Sequence, residues 1–340
     1  AAALGLYYAL AGALMAWLAP SAALGRAALF AAAWLLAEIA RVQIFTGFPW
    51  GEGGYAHIDG WARPLAGWVG VHGLTLAAAF AAALLAACLR ALQATRDLQA
   101  GMATAALLVA CLLVSLLPAA YAPAPLRAPL SVTLVQGNIA QDQKFEPGTG
   151  VAQALDWYPK QINEAVQAAR SSATGPQLVV APETAIPLLP GQLGPEFWQP
   201  LLGHLAQQPA GTGVSAMLGL PLGSLEQGYT NSVWGLSSGS AGRLQGQTRL
   251  DTPDNGLYRY DKHHLVPFGE FIPPLFRWFT DLMKIPLGDF NRGALGQPAW
   301  AVAGQRVAAN ICYEDLFGEE LAASFREPSG APTVLVNLSN

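Results

Sequence analysis

Apolar residues follow two patterns along the chain, and the change falls near residue 125. Before it the apolar positions are continuous. Four runs, at about 2–19, 27–45, 65–89 and 101–121, approach the length of roughly 20 residues that crosses about 30 Å of hydrocarbon. A helix of a water-soluble bundle would show a polar residue every third or fourth place, and Leu76–Leu89 shows none. The runs predict four membrane-spanning helices. They recur too often and run too long for a cleavable signal peptide. Pro118–Pro129 is a proline-rich bridge that ends the fourth run.

From residue 126 onward the pattern alternates. Leu130–Val135 is β-branched and apolar and predicts a buried strand, with a Gln136-Gly137-Asn138 turn after it. Residues 151–170 place Ala152, Leu155, Tyr158, Ile162, Ala165 and Ala169 at helical spacing. Leu178–Ala181, Val214–Gly219, Asn231–Leu236, Val307–Cys312 and Thr333–Leu338 predict further strands. Strands alternating with helices predict a layered α/β fold with its site at the strand ends. The expected organisation is a transmembrane helical domain over 1–125 and a catalytic domain over 126–340. Loops at 186–198 and 268–298, rich in Pro, Phe and Trp, predict a cover for an apolar substrate or a membrane contact. The chain opens inside an apolar run without Met and closes in the apolar stretch Thr333–Ser339, which predicts a fold incomplete at both ends.

Charge sharpens this division. Charged residues make up 12% of the chain, about half the usual share of a soluble protein. Residues 1–125 hold nine of them and no lysine. A net charge of -4 argues against a nucleic-acid partner, which calls for a basic face. Four spans would put residue 1, the 42–64 loop and the second domain on one side of the bilayer. Arg26, Arg90 and Arg96 then oppose Arg41, Arg63 and Arg127, a tie that leaves orientation open. The 42–64 loop carries Phe45-Thr46-Gly47-Phe48-Pro49-Trp50, composition suited to a headgroup layer, either as an interfacial anchor or as a holder of lipid near the catalytic domain. Glu38 and Arg41, three apart, would face one another on a helix, and charges there are functional candidates because lipid makes them costly.

The chemistry concentrates in three stretches. Each sets an ionisable residue just after an apolar strand or in a turn: Ala181-Pro182-Glu183-Thr184, Asp261-Lys262-His263-His264-Leu265-Val266-Pro267-Phe268-Gly269-Glu270, and Asn310-Ile311-Cys312-Tyr313-Glu314. Singly, each has an ordinary explanation: a helix cap, a solvated lysine, a small buried thiol. Cys88 and Cys111 lie in Ala- and Leu-rich runs and read as apolar filler, and the three cysteines form neither a disulfide framework nor a zinc spacing. Together the three stretches say more. A thiol needs a base to become a nucleophile, and the attacked carbonyl needs a cation as its oxygen becomes charged. Glu, Lys and Cys supply both without a histidine.

The three stretches resemble the Glu-Lys-Cys triad of the nitrilase superfamily. Lys262–Glu270, with Phe45–Trp50 and Gln136–Ile139, further resembles the apolipoprotein N-acyltransferases, the membrane-embedded branch that completes bacterial lipoprotein maturation. That resemblance covers nearly the whole chain. It implies an αββα sandwich after the helical membrane domain. It makes Glu183 the general base, Lys262 the oxyanion cation and Cys312 the nucleophile that carries the acyl group as a thioester. Glu270 matches a second essential glutamate. Tyr313 and Glu314 flank the nucleophile, with backbone N–H groups able to join an oxyanion hole. Phe145, after Lys144, stands where the family commonly has Trp, which keeps stacking and loses an indole N–H.

The implied reaction is ping-pong. A phospholipid acylates Cys312, and the amino group of a diacylglyceryl-modified cysteine on an apolipoprotein takes the acyl chain. No metal or organic cofactor is expected, and the chain is expected to act as a monomer in the bacterial inner membrane with its catalytic domain facing the periplasm. Two rival readings share the sequence: a membrane-tethered amidase that hydrolyses its thioester, and a catalytically silent membrane binding module.

Overall fold

The computed structural model describes residues 2–18, 20–95, 98–118, 129–140, 143–170, 177–207, 213–247, 250, 257–272 and 290–340. The Pro118–Pro129 bridge beyond Pro118, up to residue 128, and the 273–289 part of the aromatic loop lie outside the described residues. The chain divides into two compact units, Ala1–Ala124 and Pro125–Asn340.

The first unit is helical: α1 (Ala2–Leu18), α2 (Ala23–Gln43), α3 (Ala66–Thr95) and α4 (Leu98–Ser115). Ala23–Gln43, Arg63–Ala94 and Leu98–Ser115 are long and apolar enough to cross a membrane, and Ala2–Leu18 is a shorter apolar helix. Their side chains face outward in a way that water would penalise. Leu108, Leu112 and Leu113 of α4 are all exposed, the arrangement expected of a helix whose solvent is lipid. Helix α2 is the exception. It buries Ala27, Ala31, Ala33 and Ala37, a set of small side chains that lets neighbouring helices approach closely. Three short 3₁₀ turns, Ile44–Thr46, Gly53–His57 and Arg63–Leu65, make up much of the connection from α2 to α3. Glu38 and Arg41, which their spacing sets face to face, each bond to groups further along. The Glu38 carboxylate accepts from Thr75 Oγ1 (2.6 Å) and the Gly53 N–H (2.9 Å), and Arg41 donates to the Trp50 carbonyl.

The second unit contains two sheets. The larger has the order β1 (Ser131–Leu134), β2 (Gln177–Val180), β3 (Ser215–Ser224), β4 (Gly228–Leu236), β5 (Tyr258–Asp261). Its first three strands are parallel and the rest antiparallel. Parallel neighbours need a crossover; α5 (Gly150–Arg170) makes one from β1 to β2, and α6 (Pro195–Ala206) another from β2 to β3. The smaller sheet has β6 (Trp300–Val302), β7 (Gln305–Ile311) and β8 (Val334–Leu338) in that order.

The two faces of the large sheet make two cores, sorted by the period of two along each strand. Val179, Ala216, Leu218 and Trp234 pack with Tyr158, Ile162 and Val166 of α5 and Leu201, Leu202 and Leu205 of α6. The alternate residues Leu178, Val180, Met217 and Val233 pack with Val302, Val307, Ala309, Ile311 and Leu338 of the small sheet. Helix, sheet and sheet therefore form successive layers of an α/β fold.

Three sequence expectations change. The strand expected as buried at Leu130–Val135 is an edge strand with Leu134 exposed, because it pairs only with β2 among the described residues. The 186–198 segment expected as a loop contains a 3₁₀ turn at Pro190–Gln192 and the start of α6 at Pro195, where Pro and Glu196 in the first turn favour a helix start. Strands β5 and β6 escaped notice, one because Tyr-Arg-Tyr-Asp is polar and the other because it is three residues long.

Behind the end of β2, Gly219 lies so close that a Cβ there would meet the Pro182 carbonyl oxygen at 2.2 Å and Glu183 Cα at 2.7 Å. Gly219→Ala is expected to destabilise the protein by about 1–3 kcal/mol through overpacking, seen as a lower thermal midpoint. Gly203→Ala, where the added carbon meets nothing nearer than Gln245 at 3.8 Å, should leave the midpoint unchanged or raise it.

Candidate active site

Three segments of the second unit leave their strands close together. Strand β2 continues its pairing through Ala181 N–H to the Met217 carbonyl (2.9 Å), and then Pro182, which has no N–H to offer, ends it. Glu183 follows. Strand β5 ends at Asp261, and Lys262 still donates its N–H to the Asn231 carbonyl on β4 (2.8 Å). Strand β7 ends at Ile311, and Cys312 comes next. Asn138, Thr184, Phe268 and Cys312 all hold φ near +50° to +63°. This left-handed region is costly for side chains other than glycine, and such strain collects at functional sites.

The polar cluster is built around Lys262, which is 1% exposed. Its ammonium donates to Glu270 Oε1 at 2.9 Å and Glu183 Oε1 at 3.3 Å. The same two oxygens accept from Asn231 Nδ2, at 2.8 and 2.7 Å. Both amide hydrogens of Asn231 are thus spent on holding the two carboxylates to one lysine. The other Glu270 oxygen accepts from the Val266 N–H at 2.9 Å and closes the 266–270 loop. Burial alone would lower the Lys262 pKa, but the two carboxylates outweigh it and hold the pKa above the usual lysine value. Lys262 is a fixed cation.

Cys312 sits within electrostatic reach of this cluster. Burial pushes its thiol pKa up, the Glu183 carboxylate adds to that, and the Ser339 hydroxyl, Lys262 and the Tyr313 backbone N–H pull it back only in part. The resting sulfur is therefore a thiol, its proton held by burial and by the nearby charge of Glu183. The Asn337 side chain donates to the Cys312 carbonyl at 2.8 Å and fixes the peptide.

Glu314 serves the site through its side chain. Its buried carboxylate accepts from the backbone N–H groups of His263 (2.6 Å), His264 (3.0 Å) and Ile311 (2.7 Å) and from the Tyr260 hydroxyl (2.8 Å). Burial raises its pKa, and those donors oppose the rise. Tyr313 is buried against His264 and Phe317, with ring centroids 5.5 and 5.0 Å away, and burial raises its phenol to about 12.

Phe145 stands apart from the carboxylate cluster. It is 58% exposed, with its ring centroid 5.9 Å from Lys144 Nζ. The sequence reading passed over Asn231 and Lys144. Lys144 is 4% exposed and donates to the Glu183 carbonyl at 3.1 Å. The signal for Asn231 was a carboxamide in an otherwise buried strand, and for Lys144 a lone lysine after Gln136-Gly137-Asn138-Ile139. As for metal-type donors, Glu38, Glu52 and His72 of the first unit bring one ligand atom each within 4.8 Å of one another. Both Glu38 oxygens in that trio already accept hydrogen bonds.

Residues 1–84 match the apolipoprotein N-acyltransferase N-terminal domain, and residues 131–328 match the carbon-nitrogen hydrolase family. The chain is similar to an apolipoprotein N-acyltransferase of Verminephrobacter eiseniae, with 52% identity over 100% of the chain and 60% of that protein. It is similar to another of Ralstonia nicotianae, with 43% identity over 98% of the chain and 59% of that protein. The chain thus spans about 60% of the length of these relatives. Among solved structures, a carbon-nitrogen hydrolase from Helicobacter pylori G27 overlaps 62% of the chain and 59% of its own, at 14% identity and a TM-score of 0.36.

Glu314→Gln should damage both fold and site. It turns a four-donor acceptor into a group with one acceptor oxygen and leaves buried N–H groups facing an amide nitrogen, at about 1–3 kcal/mol for each unsatisfied donor. The expected result is a lower thermal midpoint and altered near-ultraviolet circular dichroism. A variant with wild-type values for both would remove Glu314 from its structural role.

Proposed function

The chain belongs to the carbon-nitrogen hydrolase family, in the branch that carries the apolipoprotein N-acyltransferase N-terminal domain, and from that premise we propose that it transfers a phospholipid acyl chain to the N-terminal amino group of a diacylglyceryl-cysteine apolipoprotein. The observation that carries this reading is the buried Lys262 held between Glu183 and Glu270, at the level where β7 delivers Cys312.

In the first half-reaction Glu183 accepts the Cys312 proton as the sulfur attacks the donor's ester carbonyl. The carbonyl electron pair moves onto oxygen, where Lys262 stabilises the charge. Collapse breaks the ester C–O bond, and the leaving lysophospholipid oxygen takes the proton back from Glu183. Cys312 is left as a thioester. In the second, the acceptor amine attacks the thioester and Glu183 takes a proton from the nitrogen. Collapse expels the sulfur, which recovers that proton. One base serves both halves because each returns the proton it takes. Glu270 takes no part in the proton transfers and holds Lys262 in its charged state. Two lipid-anchored substrates also give a reason for coupling such a site to apolar helices. Following the family resemblance, the protein resides in a bacterial inner membrane with the catalytic unit on the periplasmic side.

Incubation with labelled phosphatidylethanolamine and a diacylglyceryl lipopeptide tests the reading. The expected products are lysophospholipid and N-acylated peptide, with an acyl adduct on Cys312 seen by intact-protein mass spectrometry. Cys312→Ala should remove the adduct, and Glu183→Gln should slow its formation by about 10²–10⁴-fold. Free fatty acid without acylated peptide would make the protein a hydrolase instead.

A further inference from the structure

The catalytic reading uses one lysine, yet two are buried at this site. Lys144 reaches it from a turn ahead of α5, on which the Gln143 N–H bonds to the Ala140 carbonyl (3.0 Å) and the Glu146 N–H to the Gln143 carbonyl (2.9 Å). A Cβ on Gly150 would meet the Gln143 carbonyl oxygen at 2.1 Å, so the start of α5 packs directly on the turn. This geometry sends Phe145 outward, 58% exposed, and Lys144 inward, 4% exposed. The Lys144 ammonium ends 3.1 Å from the carbonyl oxygen of Glu183, the residue whose side chain Lys262 and Asn231 hold.

Counting charge around the sulfur shows what the second lysine adds. Glu183 and Glu270 bring two negative charges and Lys262 one positive, all joined by short bonds. With those three alone, a thiol losing its proton would do so in a net negative site. Lys144 restores neutrality. We propose that Lys144 is a second positioning cation of this site, which fixes the Glu183 peptide through its carbonyl and offsets the charge of the two glutamates so that Cys312 can give up its proton.

The two lysines are not equivalent. Lys262 touches two carboxylates. Lys144 donates to a carbonyl, and burial is the largest effect on it and lowers its pKa, against the pull of Glu183, Cys312 and Glu270 and with the repulsion of Lys262. That same mutual attraction between Lys144 and Cys312, seen from the sulfur, favours the thiolate. Charged groups that act on Cys312 include Glu183 after β2, Lys262 after β5 and Lys144 before α5, with Glu270 bonded to Lys262. Glu146, on the Lys144 turn itself, is exposed.

The inference rests on the reading of Cys312 as nucleophile and Glu183 as base, but its test needs no turnover. Alkylation of Cys312 by iodoacetamide would be followed against pH, by peptide mass spectrometry, on the full chain in detergent. Lys144→Met and Lys144→Gln should both move the midpoint up by about one pH unit. Lys144→Gln keeps a donor for the Glu183 carbonyl and loses only the charge, whereas Lys144→Arg keeps the charge and should keep the wild-type midpoint. An unchanged midpoint in Lys144→Gln, or an equal rise in Lys144→Arg, overturns the proposal. If Lys144→Met does not fold, the other two variants decide it. Failure of the wild-type protein to form an acyl adduct would count against the acyl-transfer reading and would leave these alkylation midpoints standing.

Discussion

The second unit depends on one buried carboxylate, that of Glu314. Its two oxygens gather donors from three places: the Tyr260 hydroxyl on β5, the His263 and His264 peptides just after Lys262, and the Ile311 peptide just before Cys312. β5 belongs to the large sheet and β7 to the small one. The sheets share an apolar interface, but burial of Val307 or Ile311 has no direction and sets no register between strand ends. Hydrogen bonds to a charged acceptor do, at about 1.5–3 kcal/mol each. Glu314 therefore fixes where the lysine loop lies relative to the cysteine turn.

Within that frame the site faces the cost of burying ions. Glu183 and Glu270 are 13% and 12% exposed at their side chains and Lys262 is 1% exposed. An isolated charge in such surroundings would neutralise instead. Lys262 keeps its charge between two carboxylates that are themselves fixed, Glu270 by the Val266 N–H and Glu183 by Asn231. The backbone carries the remaining strain. Asn138, Thr184, Phe268 and Cys312, left-handed without being glycine, each stand in or beside one of the site's sequence motifs. The fold spends local stability on directing side chains off strand ends.

Much of this was legible in the sequence, for a physical reason. A strand end is marked by the change from apolar alternation to Pro or a polar residue, so Glu183 and Cys312 stood out as ionisable groups just past such changes, whereas Lys262, after a strand too polar to read, stood out through the Lys262–Glu270 motif. Asn231 did not, because a carboxamide inside a strand shows its importance only when the carboxylates it joins, 39 and 48 residues away, fold onto it. Lys144 was visible as a residue but not as a buried one, since a single lysine in a turn has no periodicity to reveal which way it points. Glu314 was picked out for its backbone, while the structure uses its side chain. Its four donors come from β5, the lysine loop and the end of β7, and no spacing within Cys312-Tyr313-Glu314 encodes them.

The first unit solves a related problem with the same device. Leaving α2, the chain must turn back through short 3₁₀ segments beside helices that lipid would surround, where an unsatisfied peptide group is at its most costly. Glu38, 1% exposed near the end of α2, accepts from the Gly53 N–H and from Thr75 Oγ1 on α3, and Arg41 one turn later donates to the Trp50 carbonyl. An acid and a base on one helical turn thus serve opposite needs of one loop, the acid taking an N–H and the base a carbonyl. That division explains why both charges are buried without having to pair with each other. It also gives the Gly-rich sequence after Trp50 a purpose. Gly53 is where the backbone N–H meets the Glu38 carboxylate. At Gly54 a Cβ would come within 2.1 Å of the Val71 carbonyl oxygen on α3, so the loop can reach both helices only without side chains at that point.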